Sequence, residues 1–259
     1  MRLRILVLAA FLSLSLAGSA GAQGTGRSLD IQPGARQNGL GAAGVALADD
    51  ATGVTWWNPA GLGFVEHSAA ELTYAQLVPG LASDVNYNFL TYVRPLEGWG
   101  GLGLGLGFLS YGSSEGADEA GTSTGSFDSY EVSSALHYGT RVLPDLAVGI
   151  SLKYIRIQLA PSNFQGVGST FGLDIAGLYR IPAARLSFGV NVQNLGPSVT
   201  FINEDQASPL SRNVKIGAAW EAYSKGGVGV LLVEDFNQSL VTDAFRTYNH
   251  GAELAFTFQ

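Results

Sequence analysis

The sequence of 259 residues has no cysteine, and charged side chains make up only 14% of it, against about 25% in an average globular domain. Without cysteine, disulfide bonds cannot stabilise the fold, so stability must come from a packed core or from a closed sheet in lipid. Acidic residues outnumber basic ones by 21 to 14, which gives a net charge of −7. Because nucleic-acid phosphates require a basic surface, we expect no nucleic-acid partner.

Beyond the N-terminus the chain also lacks any apolar run of about 18 or more residues, which excludes a helical membrane protein. Mean hydropathy is nevertheless slightly positive, so apolar residues are numerous but dispersed. This combination is typical of a transmembrane β-barrel, in which apolar and polar side chains alternate along each strand. A soluble periplasmic β-protein is an open alternative.

Residues 1–22 have the three parts of a secretory signal peptide. Arg2 and Arg4 form a basic start, residues 5–16 form an apolar core, and residues 20–22 are a small-residue cleavage site. We expect cleavage after this site and export to the outer membrane of a Gram-negative-type envelope.

From Glu66 onward the chain divides into segments of about ten residues that alternate with a period of two, as barrel strands do. The clearest segment is 102–108, where leucine or phenylalanine alternates with glycine. No helix follows this glycine run, so it is not a phosphate-binding loop. Its glycine face would instead let a plug or a neighbouring backbone approach closely. Ten strands are predicted, near residues 66–78, 84–94, 100–111, 128–140, 146–158, 168–181, 185–195, 211–222, 226–235 and 248–258.

The connections between these strands alternate between two kinds. Short turns are predicted near 95–99, 141–145, 182–184 and 223–226. Longer polar loops are predicted near 112–127, 159–167, 196–210 and 236–247, and only the first loop, near 79–83, is short where a long one is expected. Sorting of short turns from long loops is typical of a bacterial outer-membrane barrel. Aromatic residues suited to a membrane interface cluster near the short-turn ends: Tyr92, Trp99, Tyr138, Tyr179, Trp220 and Tyr223.

No catalytic or metal-binding pattern can be placed in the sequence. Residues 121–125 match a hydrolase nucleophile elbow, but they lie in a polar, acidic loop instead of between a strand and a helix. The three histidines, His67, His137 and His250, have no metal-ligand spacing. We therefore expect a protein that is not an enzyme and that uses no cofactor and no metal.

Polar side chains on the alternating strands are predicted to line the lumen of the barrel. Charges in that position require partners, so they either pair with one another in a closed interior or line a path for a ligand. The predicted lumen-lining residues are Asp84, Asn86, Asn88, Lys153, Asp174, Arg180, Lys215 and Glu221.

The segment before the strands is rich in glycine and alanine and does not resemble a barrel strand. The pair Asp49-Asp50 can cap a short helical turn, and Pro59 forces Asn58 into an extended or turn conformation. We predict a compact helical plug over residues 23–65, which sits in the periplasmic mouth of a barrel formed by residues 66–259. Its central motif is Asp49, Asp50, Trp56, Trp57, Asn58, Pro59, Ala60 and Gly61, and we expect the tryptophan pair to pack inside the mouth.

The order of these motifs resembles the N-terminal segment of PorV/PorQ-type outer-membrane proteins, which are relatives of the FadL long-chain fatty acid transporters. The resemblance rests on Gly34-Ala35-Arg36, on residues 41–51 and on the run from Trp57 to Leu62. The Asn-Pro-Ala-Gly core is common to both groups. The aromatic residue before it and the Gly-Ala-Arg opening favour the PorV/PorQ group.

The resemblance implies a barrel with an N-terminal hatch, and it leaves two functions open. PorV-type proteins serve type IX protein secretion, with a secreted cargo protein or a translocon as partner, whereas FadL-type proteins take up hydrophobic ligands such as long-chain fatty acids. Outer-membrane lipid would surround either one. Family barrels have fourteen strands while this chain shows about ten, so we expect a C-terminally shortened member or a fragment, with open sheet edges.

Overall fold

A computed structural model describes residues 24–117, 120–161, 166–242 and 246–257. Ten antiparallel strands form one sheet in which every strand pairs with its neighbours in chain order. The predicted signal peptide and the last residue of the predicted final strand, Phe258, lie outside the described residues. The strands are β1 (Ala69–Val78), β2 (Ala82–Leu96), β3 (Gly100–Ala117), β4 (Ser123–Leu143), β5 (Leu146–Gln158), β6 (Val167–Ile181), β7 (Leu186–Leu195), β8 (Asn213–Lys225), β9 (Val228–Ser239) and β10 (Arg246–Phe256).

The predicted number of strands is confirmed in the described residues, and each predicted strand overlaps an observed one, although β3 and β4 are longer than predicted. The fold is an all-antiparallel, barrel-like sheet, and it is open within the described residues, where β1 pairs only with β2 and β10 only with β9. Consecutive antiparallel strands joined by short connections follow directly from the two-residue alternation and the turn residues between the segments. Among the described residues, no helix is long and apolar enough to cross a membrane.

The long loop predicted at 112–127 is wrong, because the connection between β3 and β4 is much shorter. Strand β3 continues to Ala117 and β4 begins at Ser123, and their paired ends project beyond both neighbouring strands as a two-stranded ribbon. The β2 pairing of β3 reaches only Tyr111, and the β5 pairing of β4 reaches only Tyr130. Backbone hydrogen bonds form a ladder whatever the side chains are, so this polar, glycine-rich stretch pairs even though it has no apolar alternation.

The two faces of the sheet differ in character. One face carries a broad set of apolar side chains that are about half exposed, and the other is covered by the N-terminal segment. We call these the outer face and the inner face. The outer-face side chains include Leu104, Leu106, Leu136, Ile150, Leu152, Phe171, Ile175 and Ile216.

The N-terminal segment, residues 24–65, crosses the inner face from one end of the sheet to the other. Near its start, Thr25 pairs with Leu210 at the end of the sheet that carries the longer connections. Its last helix packs on β4 and β5 at the opposite end, beside the short turn that joins these strands. The segment contains a 3-10 turn (Arg27–Leu29), one α-helix, α1 (Ala35–Gly39), a π-helical turn (Gly53–Trp57) and a 3-10 helix (Pro59–Phe64). Two further 3-10 turns, Pro182–Ala184 and Glu204–Gln206, lie in strand connections.

Candidate functional site

The tryptophan pair lies at the centre of the contact between the N-terminal segment and the sheet. Trp56 and Trp57 meet edge to face with ring centroids 4.8 Å apart, a favoured geometry for aromatic pairs. They share a buried cluster with Tyr87 and Phe89 of β2. The indole N–H of Trp57 donates to the Pro33 carbonyl at 3.1 Å, so the one polar atom of this buried ring is satisfied.

Asn58 fastens the motif to both the segment and the sheet. Its backbone is extended (φ −156°, ψ 99°), and its side-chain oxygen accepts from the Ala60 N–H at 3.0 Å, as expected for a residue that precedes proline and caps a helix. The side-chain amide donates to the main-chain oxygens of Val45 and Gly177, at 2.8 and 3.0 Å. Pro59 occupies the first turn of the following helix, where its missing N–H costs nothing.

Three carboxylates of the sheet each accept hydrogen bonds from two successive main-chain N–H groups of the segment. Glu131 accepts from Arg27 and Ser28 at 3.1 and 2.8 Å. Asp235 accepts from Gly44 and Val45, and Glu71 accepts from Ala51 and Thr52, at 2.8 to 3.2 Å. We call these residues the carboxylate clamps. Hydrogen bonds to an ionised acceptor are about twice as strong as neutral ones, so the clamps hold the segment at three separate strands.

Sequence reasoning missed the three clamps. Their signal is a single acid at an inward position of an otherwise apolar or small-residue alternation, as at Glu131 between Ser129 and Ser133. That signal becomes informative only when the inward face of the strand is known.

Arg36 of α1 joins the segment to β10 and to the predicted motif. Its guanidinium lies 2.8 Å from Glu253 and 2.7 Å from Asp49. Burial lowers the pKa of Arg36, but the two carboxylates together outweigh burial and raise this pKa above its usual value. Since Thr73 of β1 accepts from the Gly34 N–H, residues 34–36 reach both edge strands of the open sheet.

Asp50 lies just before the π-helical turn that carries the tryptophans and binds its first N–H group. Its carboxylate accepts from the Gly53 N–H and from the side-chain amide of Gln37. Burial raises the pKa of Asp50 above its ordinary value, and the two hydrogen bonds oppose this rise.

Glycines on the inner face leave room for the backbone of the segment. A Cβ added at Gly101 would lie 2.6 Å from the Leu62 oxygen. At Gly149 it would overlap the backbone of Pro59 and Ala60. The close approach predicted for the glycine face of β3 is therefore observed, and it extends to other strands.

Two of the predicted lumen residues form a buried ion pair on the inner face. Lys153 and Asp174 meet at 2.7 Å, and Lys153 also donates to the side-chain oxygen of Asn194 at 2.8 Å. The Asn194 N–H donates to Asp174 at 2.9 Å. A buried pair of this kind depends on such additional hydrogen bonds to offset its desolvation.

Lys215 also faces inward and touches the motif directly. Its ammonium lies 5.2 and 5.5 Å from the ring centroids of Trp56 and Trp57, within the range of cation–π attraction. It donates to the side-chain oxygen of Asn237 at 2.9 Å. Lys215 therefore links the predicted motif to the predicted inner-face charges.

Two further charged residues of that set, Arg180 and Glu221, lie at the short-turn end. The guanidinium of Arg180 stacks on the Phe64 ring at 4.0 Å, so it packs on the end of the segment. Glu221 is exposed and lies 3.8 Å from Arg185, where solvent weakens the interaction.

The assignment of Asp84, Asn86 and Asn88 to the lumen is wrong. Strand β2 turns Tyr87 and Phe89 inward against the tryptophans, so the residues of opposite parity point to the outer face. Alternation separates two faces but does not say which one is covered, and here aromatic packing decides it.

Burial also perturbs Asp30, which precedes the α1 region of the segment. Desolvation raises the pKa of its carboxyl from 3.8 to about 6, against the opposing effects of a Ser211 hydrogen bond and of Arg27. Its side chain accepts from the Ser211 hydroxyl, which ties the segment to the residues just before β8.

An antiparallel sheet with an apolar, exposed outer face and a polar inner face covered by its own N-terminal segment is typical of the class of outer-membrane β-barrel proteins. Residues 24–245 match the family model described as the type IX secretion system protein PorV. The chain belongs to this family, and it is therefore an outer-membrane protein associated with type IX secretion. No curated protein matches the sequence significantly.

Proposed function

We propose that this protein acts without catalysis in protein export, that its partner is a secreted cargo protein or a translocon subunit, and that its N-terminal segment is a fixed plug. The observation that carries the proposal is the way the segment is held. Three carboxylate clamps, Asn58 and the Arg36 ion pairs fasten it to strands at both edges and in the middle of the sheet. A segment that is held at this many points is better suited to close the interior of the sheet than to let a substrate pass through it.

The inner face favours secretion over a FadL-like uptake of fatty acids. Buried side chains there include Lys153, Asp174, Asn191 and Lys215, which do not suit an acyl chain. The two pockets beside Lys215 and Lys153 measure about 140 and 20 Å³, below the roughly 300–1,000 Å³ of sites for drug-sized ligands. A third pocket, of about 410 Å³, lies between residues 27–31 of the segment and β1 to β3, and its wall contains the charged Arg27 and Asp30 as well as apolar side chains.

The outer face disfavours a soluble periplasmic protein. Water-soluble monomers rarely expose a contiguous apolar patch larger than a few hundred Å². Here half-exposed leucine, isoleucine and phenylalanine side chains extend across neighbouring strands from β3 to β8, as expected for a surface that lipid covers.

A protein partner would meet the two rims of the sheet, where polar residues are exposed. One rim carries the β3–β4 ribbon. The other carries a groove of about 560 Å³ between residues 183–186 and 220–225, beside the half-exposed Tyr223. By analogy with outer-membrane barrels, short turns face the periplasm, so the groove would face the periplasm.

Affinity purification tests the proposal. A tagged full-length protein is extracted in mild detergent, and its co-purifying proteins are identified by mass spectrometry. We expect an exported protein or a translocon subunit in stable proportion. A protein that purifies alone, combined with fatty acid uptake that falls in a deletion strain, would instead support the FadL-like function.

A further inference from the structure

A pocket of about 140 Å³ separates the N-terminal segment from β8, β9 and β10 near the long-loop end. Its deep wall contains the buried residues Lys215, Trp56 and Asn237, and its rim contains the half-buried residues Arg212 and Gln32. This volume holds several water molecules or one small polyatomic ion. The inference drawn from this pocket does not depend on the secretion function proposed above.

The two cationic side chains of this pocket, Lys215 and Arg212, have N–H donors that their contacts within the described residues leave unused. An ammonium group has three N–H donors, and Lys215 donates to Asn237 while the two indole rings beside it supply no oxygen acceptor. Arg212 donates from Nη2 to the Gly196 carbonyl at 2.9 Å, while its buried Nε has no partner.

The acid on the pocket wall does not neutralise these cations by direct contact. Asp30 is engaged by the Ser211 hydroxyl and by Arg27, whose guanidinium lies 3.2 Å away. The other acid close to Lys215 is Asp235 of β9, and its carboxylate accepts from the main-chain N–H groups of Gly44 and Val45. A small anion is therefore the ligand that would complete the pocket, since charge-assisted hydrogen bonds to oxyanions are strong.

We propose that this pocket binds a small oxyanion, a carboxylate or phosphate group, with Lys215 as its deep charge partner and Arg212 at its rim. The bound oxyanion accepts hydrogen bonds from the Lys215 ammonium and from the Arg212 guanidinium. Because the same ammonium lies over Trp56 and Trp57, binding changes the electrostatic environment of both indoles.

Tryptophan fluorescence tests this proposal on the full-length protein in detergent. Potassium acetate and potassium phosphate are titrated separately, with potassium chloride keeping the ionic strength constant. We expect a saturable change with at least one of the two oxyanions, and the comparison of acetate with phosphate distinguishes a carboxylate site from a phosphate site. Lys215→Met should abolish the saturable change, and Arg212→Gln should weaken the apparent affinity at least several-fold.

A matched control is Lys225→Met, which removes the same charge from the exposed far end of β8 and should leave the titration unchanged. An identical response to chloride alone would overturn the proposal, and so would a saturable response that survives in Lys215→Met. If Lys215→Met does not fold, Arg212→Gln decides the question, and unchanged affinity in that variant rejects the site.

Discussion

The side-chain amide of Asn58 donates a hydrogen bond to the main-chain oxygen of Gly177 on β6, 3.0 Å away and 119 residues further along the chain. Its oxygen at the same time caps the helix that begins at Pro59. One buried amide thus orders a local turn and fixes that turn to the wall of the sheet. This explains why an asparagine directly before a proline is useful at this point of the segment.

Asn58→Ala is expected to lower the free energy of unfolding by about 2–4 kcal/mol, because it leaves buried carbonyls and one N–H group without their partner. Urea unfolding in detergent, followed by tryptophan fluorescence, measures the loss. Asn88→Ala is the matched control, since Asn88 lies on the outer face and its side-chain amide donates to Asn86, a partly exposed neighbour on the same strand. Equal losses in the two variants would contradict the role of Asn58.

Gly149→Ala tests the close approach of the segment to the sheet. The new Cβ would overlap the backbone of Pro59 and Ala60, and overpacking against backbone costs about 1–3 kcal/mol. Gly229→Ala is the control, because its Cβ meets only the Ala255 Cβ at 3.6 Å. We expect limited proteolysis to release the segment faster in the first variant only. Equal cleavage rates would show that the glycine is not required for docking.

The carboxylate clamps give a third prediction. Glu131→Gln keeps the size of the side chain but removes the charge and one acceptor oxygen from the N–H groups of Arg27 and Ser28. A hydrogen bond to a charged group contributes about 1.5–3 kcal/mol. Hydrogen exchange at residues 27 and 28 should therefore accelerate by at least tenfold.

Glu221→Gln provides the comparison for this measurement. Its carboxylate is exposed at the opposite end of the sheet and lies 3.8 Å from Arg185, so exchange at residues 27 and 28 should stay at the wild-type rate. Unchanged exchange in Glu131→Gln would mean that the clamp does not hold the segment.

The raised pKa of Asp30, about 6, makes stability depend on pH. An unfolded aspartate has a pKa near 3.9, so between about pH 4 and pH 6 the folded state binds more protons than the unfolded state. Stability from this group is present below pH 4 and is lost as the pH rises through 6. Asp30→Asn should therefore gain stability relative to the wild type as the pH rises, by on the order of 2 kcal/mol at pH 7.

Unfolding at pH 4, 5, 6 and 7 measures this difference for Asp30→Asn and for Asp128→Asn, whose side chain is exposed in the ribbon. The second variant should show a small and nearly constant difference from the wild type. A constant difference for Asp30→Asn as well would show that Asp30 titrates normally in the folded protein.

Much of the fold could be predicted from local patterns. Two-residue alternation gives all ten strands, because side chains on a strand point alternately to two faces. The extended backbone of Asn58 follows from the proline after it, and the glycines of β3 indicate close packing before any contact is known. These features depend on residues that are close together in the sequence, so local patterns are enough to predict them.

Local patterns could not predict which side-chain face of each strand points inward. For β5 and β8 the lysines correctly mark the inner face, whereas for β2 the aromatic residues Tyr87 and Phe89 are inward and the asparagines are outward. The difference depends on the tryptophan pair, which lies about 30 residues earlier in the chain. The clamps at Glu131 and Asp235 were missed for the same reason, since their partners are more than 100 residues away.

The central claim is that the N-terminal segment is a fixed plug, and a disulfide lock tests it most directly. The Ser187 hydroxyl donates to the Ala46 carbonyl at 2.8 Å, so the segment lies beside β7 at this point. Cysteines are placed at these two positions of a chain that has no other cysteine, and loss of free thiols verifies that the bridge has formed before export is measured. Export of secreted proteins is measured in cells that carry the oxidised double variant, with its reduced form and the Ala46→Cys single variant as controls. Our account predicts equal export in all three. Export that stops only in the oxidised form would contradict it, because the segment would then have to move for the protein to work.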